Sequence, residues 1–176
     1  MIELVVPDLA VVDAALAGDD ALARALGCPV AEGWAVWPAS LERVRAELNA
    51  DPGGARWGTR LFVLDEPHTL VGWGGFKGSP DAAGVVELGY ALAPAFRGRG
   101  LATAAVGAML VEAFADAAVR AVIAHTLAER NASGRVLEKA GFVFVGEVAD
   151  ERAGATWRYR VERSRASRPS TTASRP

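Results

Sequence analysis

The segment Arg97-Gly98-Arg99-Gly100-Leu101-Ala102 constrains the fold of this chain more than any other. The apolar run before it, Val85 to Ala93, reads as a β-strand. The segment after it, Leu101 to Ala118, carries little charge and many helix formers. Strand, short Gly/Arg turn and helix in that order place a helix N-terminus at a strand end. Such a terminus has unpaired backbone N–H groups and a partial positive charge, so it suits phosphate. Gly98 and Gly100 let a ligand approach the backbone with no Cβ in the way. Arg97 and Arg99 add cationic, bidentate donors. These residues predict a pyrophosphate cradle.

Around that turn the chain alternates short apolar runs with breakers. Ile2 to Val6 is a strand that Pro7 stops, and Asp8 caps a helix through about Ala17. A short helix near Asp20 to Ala25 ends at Gly27. Ser40 caps another through about Leu48, with Leu41, Val44 and Leu48 at helical spacing. Strands are expected at Trp57–Leu64 and Thr69–Phe76 before the Val85–Ala93 run. After the long helix come a Val/Ile-rich strand, Val119–Leu127, and a helix, Asn131–Ala140. Gly141 closes that helix, with Phe142 set to contact Leu137. Phe142–Val148 and Thr156–Val161 are the last two strands. The order predicts one α/β domain of the α+β kind over residues 1–163. Its sheet is mixed and mostly antiparallel, flanked by helices. Residues 164–176 have three arginines, no acid and nothing aliphatic larger than alanine, which predicts a disordered basic tail.

Composition narrows the function. With 51% hydrophobic residues, 176 residues can bury a real core. The net charge of −2 argues against a general nucleic-acid binder, which needs a basic face. No run reaches the roughly 18 apolar residues of a membrane span. A single cysteine, Cys28, excludes an internal disulfide, and Met1-Ile2-Glu3 does not begin a secretory signal. Both favour the cytoplasm. The two histidines and one cysteine have no metal-ligand spacing.

Two blocks of residues resemble the GNAT superfamily of acyl-CoA-dependent N-acetyltransferases. The first is Val86-Glu87-Leu88-Gly89-Tyr90-Ala91-Leu92-Ala93-Pro94, followed by Phe96-Arg97-Gly98-Arg99-Gly100-Leu101-Ala102-Thr103. It contains the family's Arg/Gln-x-x-Gly-x-Gly/Ala signature. The second is Asn131-Ala132-Ser133-Gly134-Arg135-Val136-Leu137-Glu138-Lys139-Ala140-Gly141-Phe142. Together they look like the RimJ/RimL-like branch. Many members carry an acid where this chain has Ala104, and an Asn where it has Arg130, one place before Asn131.

The resemblance implies a co-substrate and a chemistry. Acetyl-CoA would lay its pyrophosphate on the backbone from Gly98 to Thr103. Its pantetheine arm would pair with the Tyr90-Ala91-Leu92 backbone like an added strand. Arg97, Arg99, Leu101, Ala102 and Asn131 complete the expected cofactor site, with no metal. The acceptor would be a primary amine on a small molecule or a peptide N-terminus, in a monomer or homodimer. Glu87, the only acid in its strand, is the candidate base, and Ser133 the candidate donor to the CoA sulfur. His125 can shuttle a proton or simply pack. Trp34 and Trp37 are candidate acceptor-pocket residues, since the first helices cap that side in this family. Gly72-Trp73-Gly74-Gly75 lacks a following helix and reads as a closely packed interior strand. The alternative function is a non-catalytic acyl-CoA sensor or scaffold.

Overall fold

Period-2 and period-3.6 apolar patterns resolve into seven strands and five α-helices in a computed structural model, which describes residues 1–36, 38–51, 56–150 and 154–163. The strands are β1 (Ile2–Val5), β2 (Thr59–Leu64), β3 (Thr69–Phe76), β4 (Val85–Leu92), β5 (Ala121–Leu127), β6 (Val143–Asp150) and β7 (Gly154–Glu162). The helices are α1 (Leu9–Ala17), α2 (Asp19–Leu26), α3 (Ser40–Ala50), α4 (Leu101–Ala115) and α5 (Ala132–Lys139). One sheet runs in the order β1-β2-β3-β4-β5-β7-β6. Every pairing is antiparallel except β4 with β5. Trp37 and the tail from residue 164 lie outside the described residues.

The sheet separates two cores. On one face α4 and α5 bury Val106, Met109 and Leu137 against Val86, Leu88, Val122 and Tyr159. Burying one such aliphatic side chain is worth about 1.5–3 kcal/mol, so α4, despite its many alanines, is fixed by packing. On the other face α1, α2 and α3 bury Val12, Leu22 and Val44 against Leu61, Leu70 and Trp73. Cys28 belongs to this second core, and burial pushes its thiol pKa up.

Several boundaries move from their sequence positions, each for a local reason. The first helical residue of α3 is Ser40 itself, with Ala39 at the cap and no side-chain capping bond. The second strand starts at Thr59, not Trp57. Arg60 gathers the carbonyls of Arg56 (2.7 Å), Gly58 (3.3 Å) and Thr59 (3.1 Å), which curls the preceding chain. The long helix ends at Ala115, not Ala118, because Asp116 turns extended and its Oδ1 accepts from the Ala118 N–H at 2.8 Å. The end of α5 is as expected. The Phe142 N–H reaches the Leu137 carbonyl and the Gly141 N–H that of Glu138, a Schellman stop with Gly141 at φ 93°. Gly72 and Gly74 are also explained: a Cβ would stand 2.3 Å from the Ala91 carbonyl and 2.5 Å from that of Gly89.

Candidate active site

The sheet opens in its middle. Strands β4 and β5 pair only at Val85–Glu87 with Ala121–Ile123. Beyond Glu87, β4 stays with β3 and β5 stays with β7. Two bonds fix which way the β4 backbone faces: Lys77 N–H to the Glu87 carbonyl, and Ala93 N–H to the Val71 carbonyl. Odd-numbered residues therefore bond to β3, and the backbone of Leu88 and Tyr90 is aimed at the gap. Of the segment expected to pair with an arm of cofactor, Tyr90 is so placed. Ala91 is turned to β3, and the Leu92 carbonyl accepts from Arg97 Nε at 3.0 Å.

The Gly/Arg turn lies at the end of β4, as expected. Gly98 and Gly100 have φ 73° and 77°, in the left-handed region that favours glycine. A Cβ at either would meet nothing within 4 Å, so the concave side of the turn is open. The first helical bond of α4 runs from the Ala104 N–H to the Gly100 carbonyl. No side chain caps this helix and no acid stands in its first turn. The N–H groups of Leu101, Ala102 and Thr103 thus point out of an uncapped positive end. This fits an anionic group held by backbone. Arg97 braces the turn to β4, while the Arg99 guanidinium lies over the Phe96 ring, 5.6 Å from its centroid.

Two side-chain bridges span the gap, one on each face of the sheet. On the helix side, the Tyr90 hydroxyl donates to the Ser133 carbonyl at 3.1 Å, tying β4 to the start of α5. Burial pushes the Tyr90 pKa up to about 12, so it remains a neutral donor. Asn131 caps α5, its Oδ1 accepting from the Gly134 N–H at 2.9 Å and its Nδ2 directed at the Leu127 carbonyl, 3.4 Å away. Both ends of its amide are engaged within the chain.

On the opposite face stands a row of four: Lys77, Glu87, His125 and Arg158. Glu87 Oε1 accepts from Lys77 Nζ at 2.5 Å and meets His125 Nδ1 at 2.9 Å. Arg158 Nε donates to His125 Nε2 at 3.0 Å. An imidazole that accepts at Nε2 carries its proton on Nδ1, so His125 donates to Glu87. Burial raises the Glu87 pKa, but the Lys77 ammonium and the hydrogen bonds from Lys77 and His125 outweigh it, and the net shift is downward. Glu87 is therefore a carboxylate throughout the neutral range. Both contacts fall on Oε1; among the described residues none falls on Oε2.

Sequence reasoning placed Glu87 and Tyr90 at this opening and weighed His125, but missed Lys77 and Arg158. The signals existed. Lys77 sits directly across the β3–β4 hairpin from Glu87, and Arg158 and Arg160 alternate with Trp157, Tyr159 and Val161 along β7. Trp34 is not part of the opening. It is 2% exposed, its indole N–H bonds Asp19 at 2.9 Å, and its ring packs edge-on against Trp73. It is a core residue, because a loop tryptophan beside α2 completes that core better than it lines a wet pocket.

Comparison with known proteins agrees with this architecture. The family model described as "Acetyltransferase (GNAT) domain" matches residues 6–143, and the chain belongs to that family. The "Uncharacterized N-acetyltransferase YjdG" of Bacillus subtilis (strain 168) is 26% identical over 144 residues, 77% of this chain and 82% of its own. Among solved structures, the RimL ribosomal L7/L12 alpha-N-protein acetyltransferase in complex with coenzyme A superposes with a TM-score of 0.66. It is 16% identical over 92% of this chain and 93% of its own. The microcin C7 self-immunity acetyltransferase MccE, in complex with acetyl-CoA and AMP, gives 0.65, with 14% identity over 92% of each chain. The fold is thus the one these acetyltransferases share.

Proposed function

We propose that this protein transfers an acetyl group from acetyl-CoA to a primary amine, on a small molecule or a peptide N-terminus, by direct attack on the thioester. One observation carries the reading: an ionised Glu87 whose Oε2 is open, at the point where β4 and β5 part. The uncapped start of α4, with Gly98, Gly100 and the N–H groups of Leu101 to Thr103, suits the pyrophosphate. The gap-facing backbone of Leu88 and Tyr90 suits the amides of the pantetheine arm. Bound so, acetyl-CoA supplies an already activated acyl carbon, and no covalent enzyme intermediate is needed.

The chain's own groups do the rest. The amine nitrogen attacks the thioester carbon, a C–N bond forms and the C–S bond breaks. Glu87 Oε2 takes the proton that nitrogen loses, directly or through one water. Its pKa is too low to strip a free alkylammonium at equilibrium; it acts as nitrogen becomes acidic on bonding to carbon. Ser133, in the first turn of α5, donates to the leaving sulfur. One proton leaves nitrogen for Glu87 and one reaches sulfur from Ser133; water takes the first from Glu87 and returns one to Ser133, so amine and thioester give amide and thiol with no other reactant. The test is thiol release from acetyl-CoA across a panel of primary amines. Amine-dependent release supports the transferase. Tight acetyl-CoA binding with no release from any amine favours a sensor or scaffold instead.

A second copy of the chain is the protein partner this reading keeps. Strand β6 ends the sheet, and its Val143, Phe144 and Val145 are exposed. An apolar edge strand offers unpaired backbone to an identical edge.

A further inference from the structure

We propose that the acceptor amine carries its own anionic group, a carboxylate or phosphate, which Arg158 and Lys77 recognise on either side of Glu87. The inference rests on the transferase reading above and names the class of acceptor. The sheet face opposite α4 and α5 carries Arg158 and Arg160 on β7, beside His125 and Ile123 on β5. Arg160 has a carboxylate, Glu162, at 2.6 Å. Arg158 has none among the described residues. Its Nε is spent on His125 Nε2, and no partner is found there for its two terminal nitrogens. A half-buried guanidinium without a carboxylate is unusual, because its planar fork matches carboxylate and phosphate oxygens two at a time. Lys77 stands on the other flank of Glu87 and is 60% exposed, so its ammonium reaches solvent as well as Glu87.

The positions define a ruler. Glu87 Oε1 and Arg158 Nε are separated by two hydrogen bonds and one imidazole ring. The hydrogen bonds of 2.9 and 3.0 Å and the imidazole between them put Glu87 and Arg158 within reach of one small acceptor that carries both an amine and an acid group. A polyamine meets the wrong field here: its distal ammonium would lie against Arg158 or Lys77, and like charges at such range are repulsive.

The experiment measures kcat/KM by thiol release for 4-aminobutyrate, 3-aminopropyl phosphate, n-butylamine and spermidine. At least tenfold preference for either anionic amine over n-butylamine is expected, with spermidine the poorest. The better of the two anionic amines identifies carboxylate or phosphate. In Arg158→Met the ratio of anionic amine to n-butylamine should fall at least tenfold, and in Lys77→Met by a smaller factor. Lys77 is exposed enough that this second variant should fold whatever happens to the first. n-Butylamine or spermidine used as well as the anionic amines by the wild-type protein overturns the proposal. So does a preference that survives both substitutions. Either result leaves the transferase reading standing, whereas no thiol release from any amine overturns both.

Discussion

At Glu87 two neighbours share one oxygen and leave the other open. The proposed base would act through that open oxygen. Glu87→Gln keeps the shape but cannot take a proton. We expect kcat to fall about 10²-fold or more, the range for losing a general base, while the KM for acetyl-CoA stays within about twofold; steady-state kinetics on the best amine checks this. The loss should be nearly flat between pH 6 and 8, since Lys77 and His125 hold the carboxyl below its ordinary range. The same shift has a stability consequence. A carboxyl whose pKa is lowered by folding stabilises the protein above its unfolded value, and that contribution disappears as pH falls through the folded value. The stability difference between wild type and Glu87→Gln, read by urea unfolding, should therefore hold near neutrality and shrink under acid. A difference that grows on acidification would contradict the ion pair.

The elements explain why the site forms where it does. The Gly/Arg turn and the uncapped helix start were legible in the sequence because their causes are local: two positive-φ glycines and an apolar helix without a capping side chain. The Schellman stop at Gly141 was legible for the same reason. The row from Lys77 to Arg158 was not, because it depends on the register of β3 with β4 and of β5 with β7. Four residues from four segments meet only after the sheet is assembled. Trp34 shows the converse: a residue type that suits a pocket was captured by a core. Element packing also makes predictions. Helix α5 lies so close to β7 that a Cβ on Gly134 would stand 2.7 Å from the Tyr159 hydroxyl. Gly134→Ala should destabilise the fold by about 1–3 kcal/mol, the usual cost of overpacking, as read by chemical unfolding. Tyr90→Phe, which removes the hydroxyl's bond to the Ser133 carbonyl, should cost about 1 kcal/mol and lower kcat if α5 positions Ser133 at the sulfur.

At the scale of the molecule, charge is a poor guide to the site. The chain carries a net −2, which on its own suits a cationic acceptor. The opening of the sheet instead sets Lys77 and Arg158 around one carboxylate. Whole-chain composition averages over surfaces that the acceptor never meets. No helix among the described residues is long and apolar enough to cross a membrane. The far edge of the sheet is where a second copy would dock. Sedimentation at micromolar concentration should show a dimer, and Val145→Lys should shift it to monomer; an unchanged distribution would move the interface elsewhere. The central claim is that the Gly98–Thr103 turn holds the anionic end of acetyl-CoA, and calorimetric titration tests it most directly. Wild-type protein should bind acetyl-CoA with one-to-one stoichiometry. Gly100→Val, which fills the open side of the turn and strains a φ of 77°, should remove the binding while the protein stays folded. Undiminished affinity in folded Gly100→Val, or no binding by wild type, would contradict the account.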